Sequence, residues 1–232
     1  MKSLKIILSA FLAGFSLMLY AQTPLPVPRN IQAAYDKGTR SVTGTPGKNY
    51  WQNFADYIIQ IRFEPATRLI SGTEEIIYTN NSPDTLRKIV FKLYPNLYKK
   101  GSPRFRKIDP EDLSDGVSLE KITIDGNTHP TDSIDINGTN MVLPVAPLLP
   151  NQSMHLTIAY SYYLNKGSHI RTGEVDKGSW FIAYFFPRIA VYDDIDGWNI
   201  YPYLGTQEFY NDFCNFKLSV NVPKDIIVWG TG

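Results

Sequence analysis

Cysteine and histidine are scarce in this chain: Cys214 is the one cysteine, and His129, His155 and His169 are the three histidines among 232 residues. A single cysteine excludes an internal disulfide and a cysteine metal cluster. None of the histidines stands at His-Glu-x-x-His spacing, the helical arrangement that puts two imidazoles and a general base on one face. His129 precedes Pro130 in a turn, His155 falls on the polar side of a strand, and His169 lies in a Gly-Ser loop, so solvated or hydrogen-bonded roles are expected. A Gly-x-Ser-x-Gly elbow is also missing, and Cys214 has no histidine near it in sequence. Its neighbours Phe213 and Phe216 suggest a buried thiol. Charge of one sign is lacking too. The net charge is +1 with no block of like charges, so nothing points to a nucleic-acid surface.

Long apolar runs are confined to the start. Lys2 and Lys5 precede the run Ile6–Leu19, and Ala21 is a small residue before Gln22. This pattern predicts a signal peptide over residues 1–21 and an exported, periplasmic or secreted protein; the run is short for a retained membrane anchor. No membrane association is expected once it is removed. About 210 residues remain, enough for one large domain or two small ones.

Sustained helical periodicity is absent. Residues 22–50 read as an extended leader, with Pro24, Pro26 and Pro28 alternating and Gly38, Gly44, Pro46 and Gly47 following. A short helical turn is allowed around Ile31–Tyr35. From Trp51 onward the period is two. Tyr57, Ile59, Ile61 and Phe63 alternate with more polar positions, and Met154, Leu156, Ile158, Tyr160 and Tyr162 do the same. Further strands are expected over Leu69–Asn80, Lys88–Tyr94, Met141–Val145, Phe181–Phe186, Phe216–Val222 and Ile226–Trp229. Asp125-Gly126 and Asn137-Gly138 are tight-turn dipeptides. The expected fold is all-β: about ten strands in a mostly antiparallel, saddle-like bent sheet or sandwich covering residues 51–232.

Two local patterns invite chemistry. Asp193, Asp194 and Asp196 before Gly197 imitate a calcium loop, but Tyr192 and Tyr203 occupy its first and twelfth positions, where ligands are required. An acidic turn bonding its own amides is the simpler reading. Aromatics crowd residues 180–213, which suits either a large aromatic core or a recognition or interdomain surface.

The segment Tyr184-Phe-Phe-Pro-Arg-Ile-Ala-Val-Tyr-Asp-Asp194, followed by Gly197-Trp198-Asn199, Tyr203-Leu-Gly205, Glu208-Phe-Tyr210 and Val222-Pro223, resembles the N-terminal domain of aminopeptidase N-like zinc metallopeptidases. Upstream, Asp56-Tyr57, Gly72-Thr-Glu-Glu-Ile-Ile-Tyr78 with Asn80 (a Gly-x-x-x-Ile-x-Tyr-x-Asn pattern) and Leu93-Tyr-Pro-Asn96 resemble the same domain. The resemblance spans about residues 50–232. It implies a saddle-like β-domain forming one wall of a peptide-binding cleft against a downstream catalytic domain. That domain would carry zinc, His-Glu-x-x-His and a third glutamate ligand. In the family a Gln or Glu a little before the Phe-Pro segment meets the substrate amine; Tyr184 stands nearest that position here. No catalytic or metal residue carries over, and no cofactor is expected in this chain. The cleft or interdomain candidates are Tyr184, Phe186, Arg188, Tyr192, Asp193, Asp194 and Trp198, with Arg188 expected to pair with Asp193 or Asp194. The expected partners are the catalytic domain and, through it, a peptide. An exported aromatic-rich sandwich that binds carbohydrate or another surface is the alternative.

Overall fold

The structure is a computed structural model that describes residues 25–132, 134–167 and 169–230. The signal-peptide expectation over residues 1–21 lies outside them. Among the described residues no helix is long and apolar enough to cross a membrane. The chain divides into two units, residues 1–49 and 50–232.

Within the described part of the first unit, α1 (Arg29–Lys37) extends the turn expected at Ile31–Tyr35 to nine residues. It ends at Gly38, whose φ of 70° is the left-handed conformation that closes helices most readily in glycine. Asn49 Nδ2 donates to the Lys37 carbonyl at 2.8 Å and Thr39 Oγ1 to that of Ala34 at 3.1 Å. These bonds occupy the carbonyls that a helix end leaves without partners.

The second unit is all-β and mostly antiparallel. Its strands are β1 (Phe54–Glu64), β2 (Leu69–Thr79), β3 (Leu86–Lys92), β4 (Ser118–Ile124), β5 (Asn127–His129), β6 (Asp135–Asn137), β7 (Asn140–Leu148), β8 (Ser153–Tyr163), β9 (Thr172–Asp176), β10 (Ser179–Ile182), β11 (Arg188–Ile189), β12 (Tyr192–Asp193), β13 (Gly197–Trp198) and β14 (Cys214–Asn221). A six-stranded sheet runs β14-β1-β2-β8-β4-β5 and a four-stranded sheet runs β11-β3-β7-β6. One core lies between them. Tyr57, Ile59, Ile76, Leu156 and Ile158 from the first sheet meet Ile89, Phe91, Met141 and Leu143 from the second. Alternation along β1, β2 and β8 produces this sandwich, because every second side chain falls on the buried face.

The β4–β5 turn is Asp125-Gly126, both at positive φ as a two-residue hairpin requires. Two expected strands fail. Phe181–Phe186 is extended only as far as Ile182, because Tyr184 adopts φ 57° and turns the chain out of the ladder. Ile226–Trp229 is not strand, and Ile227 and Trp229 stand exposed.

The residues that carried the resemblance hold the fold. Gly72 lies opposite Tyr160, and a Cβ placed there would sit 2.7 Å from the tyrosine's hydroxyl and ring. Asn80 is fully buried, donates to the Asp84 and Leu148 carbonyls, and accepts from Ser82. Asn96, also buried, donates to the Gly138 carbonyl at 3.0 Å and accepts from the Val117 amide at 2.7 Å.

Candidate functional site

The seven candidate residues fall into three clusters. Tyr184 belongs to an aromatic box: its ring stacks on Phe209 at 3.6 Å and meets Tyr94 edge-on at 5.6 Å. Tyr203 stacks on Phe209 at 4.7 Å. The Arg171 guanidinium lies 5.4 Å from the Tyr184 centroid and 5.8 Å from that of Phe209. Burial pushes the Tyr94 and Tyr203 hydroxyls up to about 12, so they stay neutral hydrogen-bonding groups. Only about 20 Å³ is open among these rings, too little for a substrate side chain.

Phe186 and Arg188 form the second cluster, beside β14. Phe186 is buried edge-on to Tyr57 and Phe216, each at 5.6 Å. The expected pairing of Arg188 with Asp193 or Asp194 is corrected. Its Nη2 donates instead to the Asp212 carbonyl at 3.0 Å and the Cys214 sulfur at 3.2 Å, with the guanidinium 5.3 Å from the Phe216 centroid. The reason is register: β11 pairs with β3 through Arg188 and Lys92, which sends the arginine toward the start of β14. Cys214 is half-buried rather than buried, and Phe213 beside it is exposed. Burial outweighs Arg188 and holds the thiol above its usual range.

Tyr192, Asp193, Asp194 and Trp198 form the third. Tyr192 stacks on Trp51 at 5.5 Å and donates to Asp84 Oδ2 at 2.8 Å. Burial and the Asp84 carboxylate raise its pKa. Asp193 Oδ1 accepts from the Ile195 and Asp196 amides, as expected of an acidic turn, and Oδ2 accepts from Tyr210. Asp194 and Trp198 are buried, the latter against Tyr192 and Tyr78.

The late aromatics do not make one exposed face. Phe186, Trp198 and Tyr203 are buried, Phe185 and Phe209 half-buried, and Tyr201 exposed. Phe181, Tyr201 and Tyr210 are exposed, and so are apolar side chains on β14. Phe216 and Leu218 register with Tyr57 and Ile59, so they face the core side of the sheet, yet they are 46% and 47% exposed. Phe213, before the strand, and Ile227 and Trp229, after it, are exposed as well.

Lys92 ties the Tyr201 segment to the four-stranded sheet. Its Nζ donates to Asn140 Oδ1 and the Tyr201 carbonyl, both at 2.7 Å, and burial lowers its pKa to about 8. Sequence reasoning missed both this lysine and a basic loop. Lys99, Lys100, Arg104, Arg106 and Lys107 lie within nine residues that hold no acid. Gly, Ser, Pro and Phe interrupt the run, so no block of like charge stands out until the fold gathers part of it around a 360 Å³ cavity.

His129 lies on β5, His155 on β8 and His169 in the loop before β9, and among the described residues no three His, Cys, Asp or Glu side chains converge as ligands.

No family profile and no curated protein match the sequence. Solved structures do. A two-domain M1 zinc metallopeptidase variant bound to L-tryptophan is 13% identical, with 77% of this chain and 35% of that one covered and a TM-score of 0.41. The M1 zinc metallopeptidase of Deinococcus radiodurans is 13% identical, with 77% and 34% covered and a TM-score of 0.37. Aminopeptidase A of Legionella pneumophila, in complex with aspartic acid, is 8% identical, with 55% and 12% covered and a TM-score of 0.36. This chain thus spans about a third of the first two structures, and the partial likeness decides nothing about its chemistry.

Proposed function

We propose that residues 51–232 are the non-catalytic β-domain of an exported, aminopeptidase-type zinc metallopeptidase. The domain offers one wall of a peptide-binding cleft, and the zinc and its activated water belong to a catalytic domain docked against it. The observation that carries the reading is the half-exposed row on β14. Phe216 and Leu218 face the core side yet stay nearly half exposed, Phe216 although Tyr57, Phe186 and Arg188 pack on its ring, and a row of this kind is normally buried against a partner. The ordered motifs from Gly72 to Tyr210 add the family to which that partner belongs. A carbohydrate-binding module would need exposed aromatics along a groove. The broad groove on the outer face of the six-stranded sheet is lined instead by Gln60, Arg62, Ser71, Thr73, Glu120 and Asn221, and its one aromatic, Tyr160, is buried.

Sequencing the coding region past Gly232 for an in-frame His-Glu-x-x-His, and assaying the complete product on amino-acid anilides, tests the reading. The expected result is chelator-sensitive hydrolysis by the complete product and none by this chain. In the complete product Leu218→Arg lowers the thermal midpoint; in this chain it changes stability by no more than about 0.5 kcal/mol, as an exposed substitution does. Stoichiometric zinc with anilide cleavage by this chain alone, or a coding region without the motif, overturns it.

A further inference from the structure

The basic loop folds over a cavity whose construction the cleft reading does not use. Its volume is 360 Å³, within the range of small-ligand sites. Its lining combines apolar side chains, Leu97, Ile170 and Leu204 among them, with the cations Arg104, Arg106 and Lys107. Asp109 is the one acid in the lining; Asp112, outside it, accepts from the Gly167 amide and contacts His169 Nε2 at 2.9 Å, and Glu111 pairs with Lys166 at 2.6 Å. Among the lining side chains three cations stand against one carboxylate, an excess of positive charge of about +2.

The loop is anchored through its middle residues. The Phe105 amide donates to the Leu204 carbonyl at 3.0 Å, and Arg104 Nη2 to that of Lys99. Arg104 Nε is buried and has no partner.

A second observation concerns the turn that supplies Ile170. His169 and Thr172 exchange backbone hydrogen bonds at 2.8 and 2.9 Å, which closes a two-residue turn at Ile170-Arg171. Both central residues have positive φ, 47° and 63°. Such turns are normally filled by Asn-Gly, and a β-branched residue there is strained. Strain of this kind persists where the side chains themselves are needed, as in ligand clamps. Here Ile170 forms the cavity's apolar wall while Arg171 caps the aromatic box. The turn is held from outside by Tyr98 Oη on the His169 carbonyl and by the His169–Asp112 pair.

We propose that this cavity binds the C-terminal carboxylate of a peptide, with the last, apolar side chain against Leu97, Ile170 and Leu204. The carboxylate lies among the donors of Arg104, Arg106 and Lys107, where charge-assisted bonds are strongest. The proposal rests on the peptide-cleft reading, which it extends to the far end of the substrate.

The test is a titration of this chain, followed by backbone amide chemical shifts, with three N-acetylated tetrapeptides: one ending in Leu with a free carboxylate, its C-terminal amide, and an amide ending in Glu. The expected result is binding of the first, with shifts at Leu97, Ile170 and Leu204, and at least tenfold weaker binding of both amides. The double substitution R106Q/K107Q, in exposed residues, reproduces the tenfold loss with unchanged spectra elsewhere. Raising the salt from 0.05 to 0.5 M weakens the free acid selectively. Equal binding of acid and Leu amide overturns the carboxylate site and leaves the cleft reading standing. Preference for the Glu amide overturns the assignment to the chain terminus. No binding by any of the three overturns the site, whereas the cleft reading fails only on the anilide assay of the complete product.

Discussion

Glu74 stands on the core-facing side of β2, fully buried between Gly72 and Ile76, with neither carboxyl oxygen hydrogen-bonded. The Tyr160 hydroxyl is buried and without a partner as well. Burial raises the Glu74 pKa well above the ordinary glutamate range, so its neutral form is the one that folds. A group with a raised folded pKa contributes stability that is fully present below the unfolded value, near 4.3, and is lost as pH rises toward the folded value. Stability should therefore fall as pH rises above about 4.3. Glu74→Met, similar in length and without polar oxygens, removes that dependence and stabilises the domain at both pH values, by about 1–3 kcal/mol more at pH 8 than at pH 4. Urea midpoints at the two pH values measure this. An equal shift at both would show that the carboxyl is not titrating in the fold. The sequence does not make this legible. There Glu74 is one of two adjacent glutamates, and only the phase of β2 tells that Glu75 faces out and Glu74 in.

At the level of elements, β1, β2 and β8 were readable because each alternates over eleven residues, long enough for one face to be identified. The shorter strands β11, β12 and β13, two residues each, have no period to read. The Phe181–Phe186 expectation failed at a single backbone angle, that of Tyr184, which side-chain pattern does not encode. Gly72 was visible as part of a motif, but not as the place where β2 makes room for Tyr160 on β8. Gly72→Ala should destabilise the domain by about 1–3 kcal/mol, since the added carbon meets the tyrosine ring rather than a flexible chain end. Thermal unfolding checks this, and the double variant Gly72→Ala/Tyr160→Leu should lose less than the sum of the two single changes. Full additivity would mean that the glycine is needed for something other than the ring.

For the whole molecule, the all-β sandwich was legible and the site was not. The motif residues that suggested the family, Gly72, Asn80 and Asn96 among them, proved to be fold-holding groups, so they speak to architecture rather than chemistry. The aromatic segment gave the right neighbourhood but the wrong surface, because Tyr184, Tyr203 and Phe209 consume one another's faces. Exposed apolar side chains also stand on β14, which is the outermost strand of its sheet and pairs in parallel with β1 on one side only. A strand bonded along one edge, with its apolar side chains half in water, can peel away while the rest of the sheet stays intact. In amide hydrogen exchange, β14 should therefore open at a lower free energy than β2 or β8, which are paired on both sides. Equal protection across the three strands would show that β14 is held without help. Where a second domain covers Phe216 and Leu218, the slowing of exchange along β14 becomes a residue-level gauge of how firmly the two are joined.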